Sequence, residues 1–304
     1  MSPVAAPSTE AADVAVILIV RDPGDTPDAV LAALADQPEA ARFEVIVVDG
    51  RPDVPQKLPP VGVLIRAPGL NMPQLKARGI AATTATALAF LEPKAVPAPG
   101  WAAALIRARQ AAPQAVIGGA VRHAGGCSAA DQAAFIFEYS DFSAAQLDSG
   151  RTRDLPGNNM VLPRQALLAH CGDILAREGL NKPFCQARLL AAGVPLLLAA
   201  DMAVAMTTSH QLAGLLSSRM RYARCFGGTR VALAAPGLRW RYRLGAPAVP
   251  VLVLVRRMSA VSRAETGPRR TFALPALALL CLAWAVGEIA GYWRGPGRSC
   301  EQLY

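Results

Sequence analysis

Four short apolar runs in the first 91 residues constrain this chain more than anything else in it: VAVILIV (14–20), FEVIVVDG (43–50), VGVLIR (61–66) and ATALAFL (85–91). Each is continuous rather than alternating, as a strand covered on both faces requires. Helical signals separate them. Thr26-Pro27-Asp28 supplies a cap, a proline at the first helical position and an acid in the first turn. The helix it opens is expected to run to about Gln37, and Met72 to Ala82 forms a second. Alternating strands and helices predict right-handed βαβ units and a mostly parallel sheet. Such sheets bind ligands beyond the C-terminal ends of their strands. Asp49 and the turn Glu92-Pro93-Lys94 fall there. No GxGxxG or GxxxxGK[ST] phosphate loop is present.

Beyond Trp101 the pattern predicts a helix to about Ala111, a strand over 115–122 and a helix over 127–142. A Ser/Asp/Gly/Arg loop follows over 143–157, then LPGNNMVLPRQAL (155–167) as loop, short strand and helix. An apolar-periodic helix covers 182–193 with a short strand after it, and an Arg-rich amphipathic helix covers about 211–231. LRWRYRL (238–244) and VPVLVLV (249–255) read as short mixed or apolar segments.

Charge is segregated. From Arg219 to the C-terminus there are 14 arginines, no lysine and three acids, a net +11. The chain total is +9, so residues 1–218 carry about −2. A basic tail suits an anionic membrane surface or a nucleic acid. The 22 residues from Phe272 to Trp293, with one acid and no base, are long enough to cross a bilayer and favour lipid over nucleic acid. Six cysteines show no CxxC pair, and the first residues are not a secretory signal, so reduced thiols in a cytosolic compartment are expected.

Over about residues 13–235 the chain resembles family 2 glycosyltransferases of the GT-A fold. Four stretches carry the resemblance: VAVILIV…EVIVVDG, GLNMPQLKARGIAATTATALAFLEPKAVPAPGW, LPGNNMVLPRQAL and RLLAAGVPLLLAAD. It implies a GT-A-like α/β domain that moves a sugar from a nucleoside diphosphate donor with inversion. Donor contacts would fall on Arg21, Asp22, Asp49, Arg78, Glu92 and Lys94. Acceptor contacts would fall on Asn158 and Asn159. His210, Arg219, Arg221 and Arg224 would meet diphosphate or lipid head groups. QxxRW is absent, which favours single addition over processive synthesis.

Two positions depart from the family pattern. The acidic metal-binding motif reads Glu92-Pro93-Lys94, with one carboxylate and a cation. Either Glu92 holds a weakened Mn2+ or Mg2+ site, or the site is metal-independent and Lys94 holds the diphosphate directly. The slot for the catalytic base is Asn181-Lys182, leaving Lys182 with a lowered pKa, or Glu178 three residues upstream of Asn181, as substitutes. A glycosyltransferase-like protein that binds a nucleotide, lipid or partner without turnover is the alternative.

The expected organisation is therefore a disordered segment 1–13, a GT-A-like domain over 14–235, a basic membrane-surface region over 236–271, a transmembrane helix over 272–293 and a tail over 294–304. Arg256, Arg257, Arg263, Arg269 and Arg270 precede the apolar helix and would keep the main domain at the cytoplasmic face of the inner membrane. An interfacial hairpin with 249–255 is the rival to a span. Gly287 and Gly291 form a GxxxG suited to packing another helix. The partners expected are a nucleotide sugar and a membrane lipid or lipid-linked acceptor.

Overall fold

A computed structural model describes residues 13–22, 24–52, 62–124, 128–143, 148–207, 209–261 and 271–302. The expectations for 1–12, Cys127, Arg263, Arg269 and Arg270 lie outside the described residues.

The first half runs β1 (Val14–Val20), α1 (Asp28–Ala35), β2 (Phe43–Asp49), β3 (Val63–Arg66), α2 (Met72–Ala81) and β4 (Ala87–Leu91). Its strands pair in parallel in the order β3-β2-β1-β4. All seven residues of β1 are buried because the strand has protein on both faces. Val14, Val16, Leu18 and Val20 share a core with Leu31 and Leu34 of α1. Ala15, Ile17 and Ile19 share another with Leu75 and Ile80 of α2. The two-residue period of a strand thus feeds two separate cores.

The middle of the chain is β5 (Ala95–Pro97), α3 (Trp101–Ala111), β6 (Val116–His123), α4 (Ala129–Tyr139), β7 (Gly150–Thr152), β8 (Asn159–Pro163), α5 (Arg164–Glu178), α6 (Lys182–Ala191) and β9 (Leu196–Met206). Here the sheet becomes mixed: β8 runs antiparallel between β4 and β6, β9 parallel to β6, and β5 and β7 antiparallel to β9. Three-residue β5 and β7 are not among the expected strands, because so short a strand carries no periodicity. The register of β6 on β9 shifts between Gly119 and Val121. A Cβ at Gly119 would stand 1.7 Å from the Met202 carbonyl oxygen, so only glycine permits the crossing that carries β9 to the sheet edge at Met206.

The described C-terminal part is built of helices: α7 (Leu212–Leu233), α8 (Pro236–Gly245), α9 (Val249–Ala260) and α10 (Leu274–Arg294). The stretches 238–244 and 249–255 are helices, each opening with a proline in its first turn, Pro236 and Pro250. Thr271–Arg294 is long and apolar enough to cross a membrane, yet nearly half of its apolar stretch is buried against the protein. Leu277, Leu280 and Cys281 belong to the same core as β1 and α4. Gly287 and Gly291 meet the α7 backbone: a Cβ at Gly291 would lie 2.5 Å from the Arg224 carbonyl oxygen. The GxxxG therefore packs a helix of its own chain.

One expectation is corrected outright. Cys225 and Cys300 form a disulfide, with Cα atoms 5.0 Å apart, so the thiols are not all reduced. The two positions are 75 residues apart in sequence and are brought together only by the packing of α7 on α10. Cys171, Cys185 and Cys281 are free and buried.

Candidate active site

Parallel β1 and β4 end at the same edge, so Arg21-Asp22 and Glu92-Pro93-Lys94 are delivered together. Glu92-Pro93-Lys94-Ala95 is a tight turn, the Ala95 amide donating to the Glu92 carbonyl at 2.9 Å, with proline at its second position. The turn forms part of the wall of a cavity of about 950 Å³ that runs from this edge between α6, α7, α9 and α10.

α2 enters the same wall because of its first turn. Asn71 and Gln74 form a reciprocal capping box, and Pro73 pre-sets the helix. That orientation places Leu75, Lys76, Gly79 and Ile80 inward. Lys76 is 8% exposed and has no ion pair or hydrogen bond among the described residues; its ammonium stands 6.0 Å from the Phe90 ring centre. Burial pushes the Lys76 ammonium below its ordinary range while Glu92 pulls it back. Burial likewise raises Glu92, and Lys76 is the strongest influence holding it down.

The remaining cavity charges are mostly paired. Lys94 lies 3.5 Å from Asp25, Lys182 2.9 Å from Asp154, and Arg219 2.5 Å from Glu138. Asp25 also accepts from the Asp22 amide at 3.0 Å. Burial, Asp25 and the nearby cations act on Asp22 together, and the balance raises its carboxyl. Burial lowers His210, which keeps its imidazole neutral near pH 7, and its backbone amide donates to Asp131 at 2.7 Å. Asn158 is buried at the wall with its Oδ1 lacking a partner among the described residues. Tyr222 lies close enough to Arg219, Glu138, Asp154 and Glu92 to feel their charges.

The cavity thus brings together Arg21, Asp22, Glu92, Lys94, Asn158, Lys182, His210, Arg219 and Arg221 from the expected set. Five expected residues stand outside its wall. Asp49 is fully buried under Arg51 and Arg66, which donate to it at 2.9 and 2.6 Å. Burial alone would lift the Asp49 carboxyl, but the Arg51 hydrogen bonds and both guanidinium charges hold it below the usual carboxylate range. Arg78 is exposed, roughly 200° round α2 from Lys76. Glu178 is exposed at the last residue of α5. Asn159 is locked in the core, accepting from Trp101 Nε1 at 2.9 Å and donating to the Met202 and Ala120 carbonyls. Arg224 turns toward the C-terminal tail and donates to the Gly295 carbonyl at 3.3 Å.

Sequence reasoning missed Asp25, Lys76, Glu138 and Asp154. Lys76 did leave a signal, a charge inside the inward stripe of α2. The others come from segments whose approach to the edge is set by tertiary packing. The divalent cation implied by the resemblance has no fitting donor set: Glu92 is flanked by Lys76 and Lys94. Among the described residues no three His, Cys, Asp or Glu side chains are grouped to hold a metal.

No protein-family model matches the sequence, and no curated protein matches it. Solved structures do. The mannosyltransferase PcManGT from Pyrobaculum calidifontis, in complex with GDP-Man and Mn2+, is similar at a TM-score of 0.57 and 16% identity, over 95% of this chain and 90% of that one. TarS 1–349 of S. aureus, in complex with UDP-GlcNAc, gives 0.49 and 12%, over 93% and 92%. The sheet order, the edge cavity and the first of these likenesses agree that this chain has the fold of the GT-A-type glycosyltransferases.

Proposed function

We propose that this protein transfers a single sugar from a nucleoside diphosphate sugar to a lipid-linked, envelope-type acceptor, with inversion, while docked on a membrane surface. One observation carries the reading: a single cavity joins two chemically different ends. At the strand edge it holds Asp22, Lys76, Glu92 and Lys94, which suit a charged nucleotide sugar. At the other end stand Phe184, Phe226, Trp284 and Val253, which suit an apolar chain. Phe226 stacks with Phe184 and lies tilted to Trp284, with ring centres 6.0 Å apart in each pair.

In the transfer, the bond between sugar C1 and the diphosphate oxygen breaks, its electron pair leaving on that oxygen. An acceptor hydroxyl oxygen bonds C1, and its proton passes to a carboxylate. Asn181 and Lys182 offer none. Asp154, held by Lys182 at the cavity wall, is the carboxylate nominated for that proton, with Lys182 orienting it.

The outward faces of α9 and α10 support the membrane part. Val251, Leu252 and Val255 are each more than 60% exposed, as a soluble helix face would not be, and Leu252 also borders the cavity. α10 lies against α7, and Cys300 is tied to Cys225, which favours an interfacial placement over a span. The arginines of this region favour an anionic lipid surface.

A second reading, a nucleotide- or lipid-binding protein without turnover, draws on the missing carboxylate at Asn181-Lys182. Calorimetry with a panel of nucleotide sugars, followed by hydrolysis and transfer assays on a lipid-linked acceptor, separates the two. Binding with transfer, and a fall in kcat of about 100-fold or more for Asp154→Asn at unchanged donor affinity, is the expected result. Binding with neither hydrolysis nor transfer supports the second reading, and absence of any binding overturns both.

A further inference from the structure

We infer that Lys76 takes the place of a divalent metal ion at the leaving diphosphate, so that donor binding is metal-independent. The inference rests on the donor-binding reading above. Lys94 was the cation expected in this role, but Asp25 stands 3.5 Å from it and its side chain is 43% exposed. Lys76 is the better placed of the two: buried at the cavity wall, with no ion pair or hydrogen bond among the described residues. Met72, one turn earlier on α2, lines the same wall, so this face of the helix is turned into the cavity.

An ammonium in that setting is costly unless an anion completes it. Glu92 is the carboxylate whose charge acts on it, and burial raises that carboxylate's pKa. A diphosphate supplies the missing charge. When the C1–O bond breaks, the oxygen that keeps the electron pair gains negative charge, and a fixed cation beside it stabilises the departing group as a metal would.

The test is calorimetry with UDP and GDP, and with uridine and guanosine as phosphate-free controls, in EDTA and in Mn2+. The expected result is nucleoside diphosphate binding in EDTA, with less than threefold improvement by Mn2+. Lys76→Met is expected to weaken diphosphate binding at least tenfold and leave nucleoside binding unchanged. Lys76→Arg should recover most of the loss, and Arg78→Ala, outside the cavity, should change nothing. Glu92→Gln provides a second handle that does not depend on the folding of Lys76→Met. It removes an anion from the donor end of the cavity, and diphosphate binding in EDTA should persist, whereas a metal ligand lost there would abolish binding. Binding that appears only with Mn2+, or is lost in Glu92→Gln, or is equal in Lys76→Met and wild type, overturns the inference and leaves the glycosyltransferase reading standing. No nucleotide binding in any condition overturns both.

Discussion

Asp49 and Asn159 show how a residue at the right place in sequence can hold the site without entering it. Asp49 closes β2 at the ligand edge, but its oxygens are taken by Arg51 and Arg66, and Arg51 in turn donates to the Asp25 carbonyl at 3.1 Å. Its folded pKa is depressed, so its contribution is complete above its unfolded value of about 3.9 and is lost as pH falls through the folded value. Urea midpoints should therefore fall below about pH 4 in the wild type, and that acid-dependent component should be missing from Asp49→Asn. The variant itself should lose about 2–4 kcal/mol at pH 7, since both arginines are left with a neutral partner and Arg66 keeps some contact with water. Asn159→Ala should cost a similar amount, roughly 2–4 kcal/mol by denaturant unfolding, because Trp101 Nε1 and two buried carbonyls lose their partner. The pairing of asparagines at 158 and 159 was legible. Which one faces the cavity was not, because Asn158 lies in the turn before β8 and Asn159 in the strand, and the contact with Trp101 that holds Asn159 in the core forms only in the packed fold.

At the scale of elements, the strands with continuous apolar runs were legible because burial on both faces leaves one possible composition. The short β5 and β7, and the helical state of 238–244 and 249–255, were not, since their partners are distant in sequence. The contact of α7 with α10 depends on glycine on both sides. Cβ atoms would come within 2.6 Å of the Glu288 carbonyl oxygen at Gly227 and within 2.1 Å of the Met220 carbonyl oxygen at Gly287. Gly287→Val should push the helices apart and destabilise the fold by about 1–3 kcal/mol or more, read as a lowered melting temperature. Arg230 joins the same contact, reaching Glu288 at 3.2 Å and lying over the Phe226 ring at 4.6 Å. These helices form the apolar end of the cavity, so their packing sets the shape of the proposed acceptor side.

For the molecule as a whole, the C-terminal helices also wall the candidate cavity. The Cys225–Cys300 disulfide closes a long loop around them, and reduction should cost about 2–4 kcal/mol. Thermal unfolding should shift with reductant in the wild type and not in Cys300→Ser. If α9 and α10 rest on a membrane, sedimentation with anionic vesicles should be strong at low salt and weaken as salt rises. Leu252→Glu with Val255→Glu should reduce it at least tenfold, while neutral vesicles bind less in every variant.

The sequence by itself determined the parallel half of the sheet and the delivery of Glu92-Pro93-Lys94 to its C-terminal edge, because burial on both faces and turn chemistry are local properties. Only the tertiary structure decided which charges meet there. It paired Lys94 with Asp25, turned Lys76 inward, set Asp154 beside Lys182 and folded an apolar helix back over the domain. Those outcomes depend on side chains from segments far apart in the chain, whose interaction energies exist only once the packing has brought them within a few ångströms.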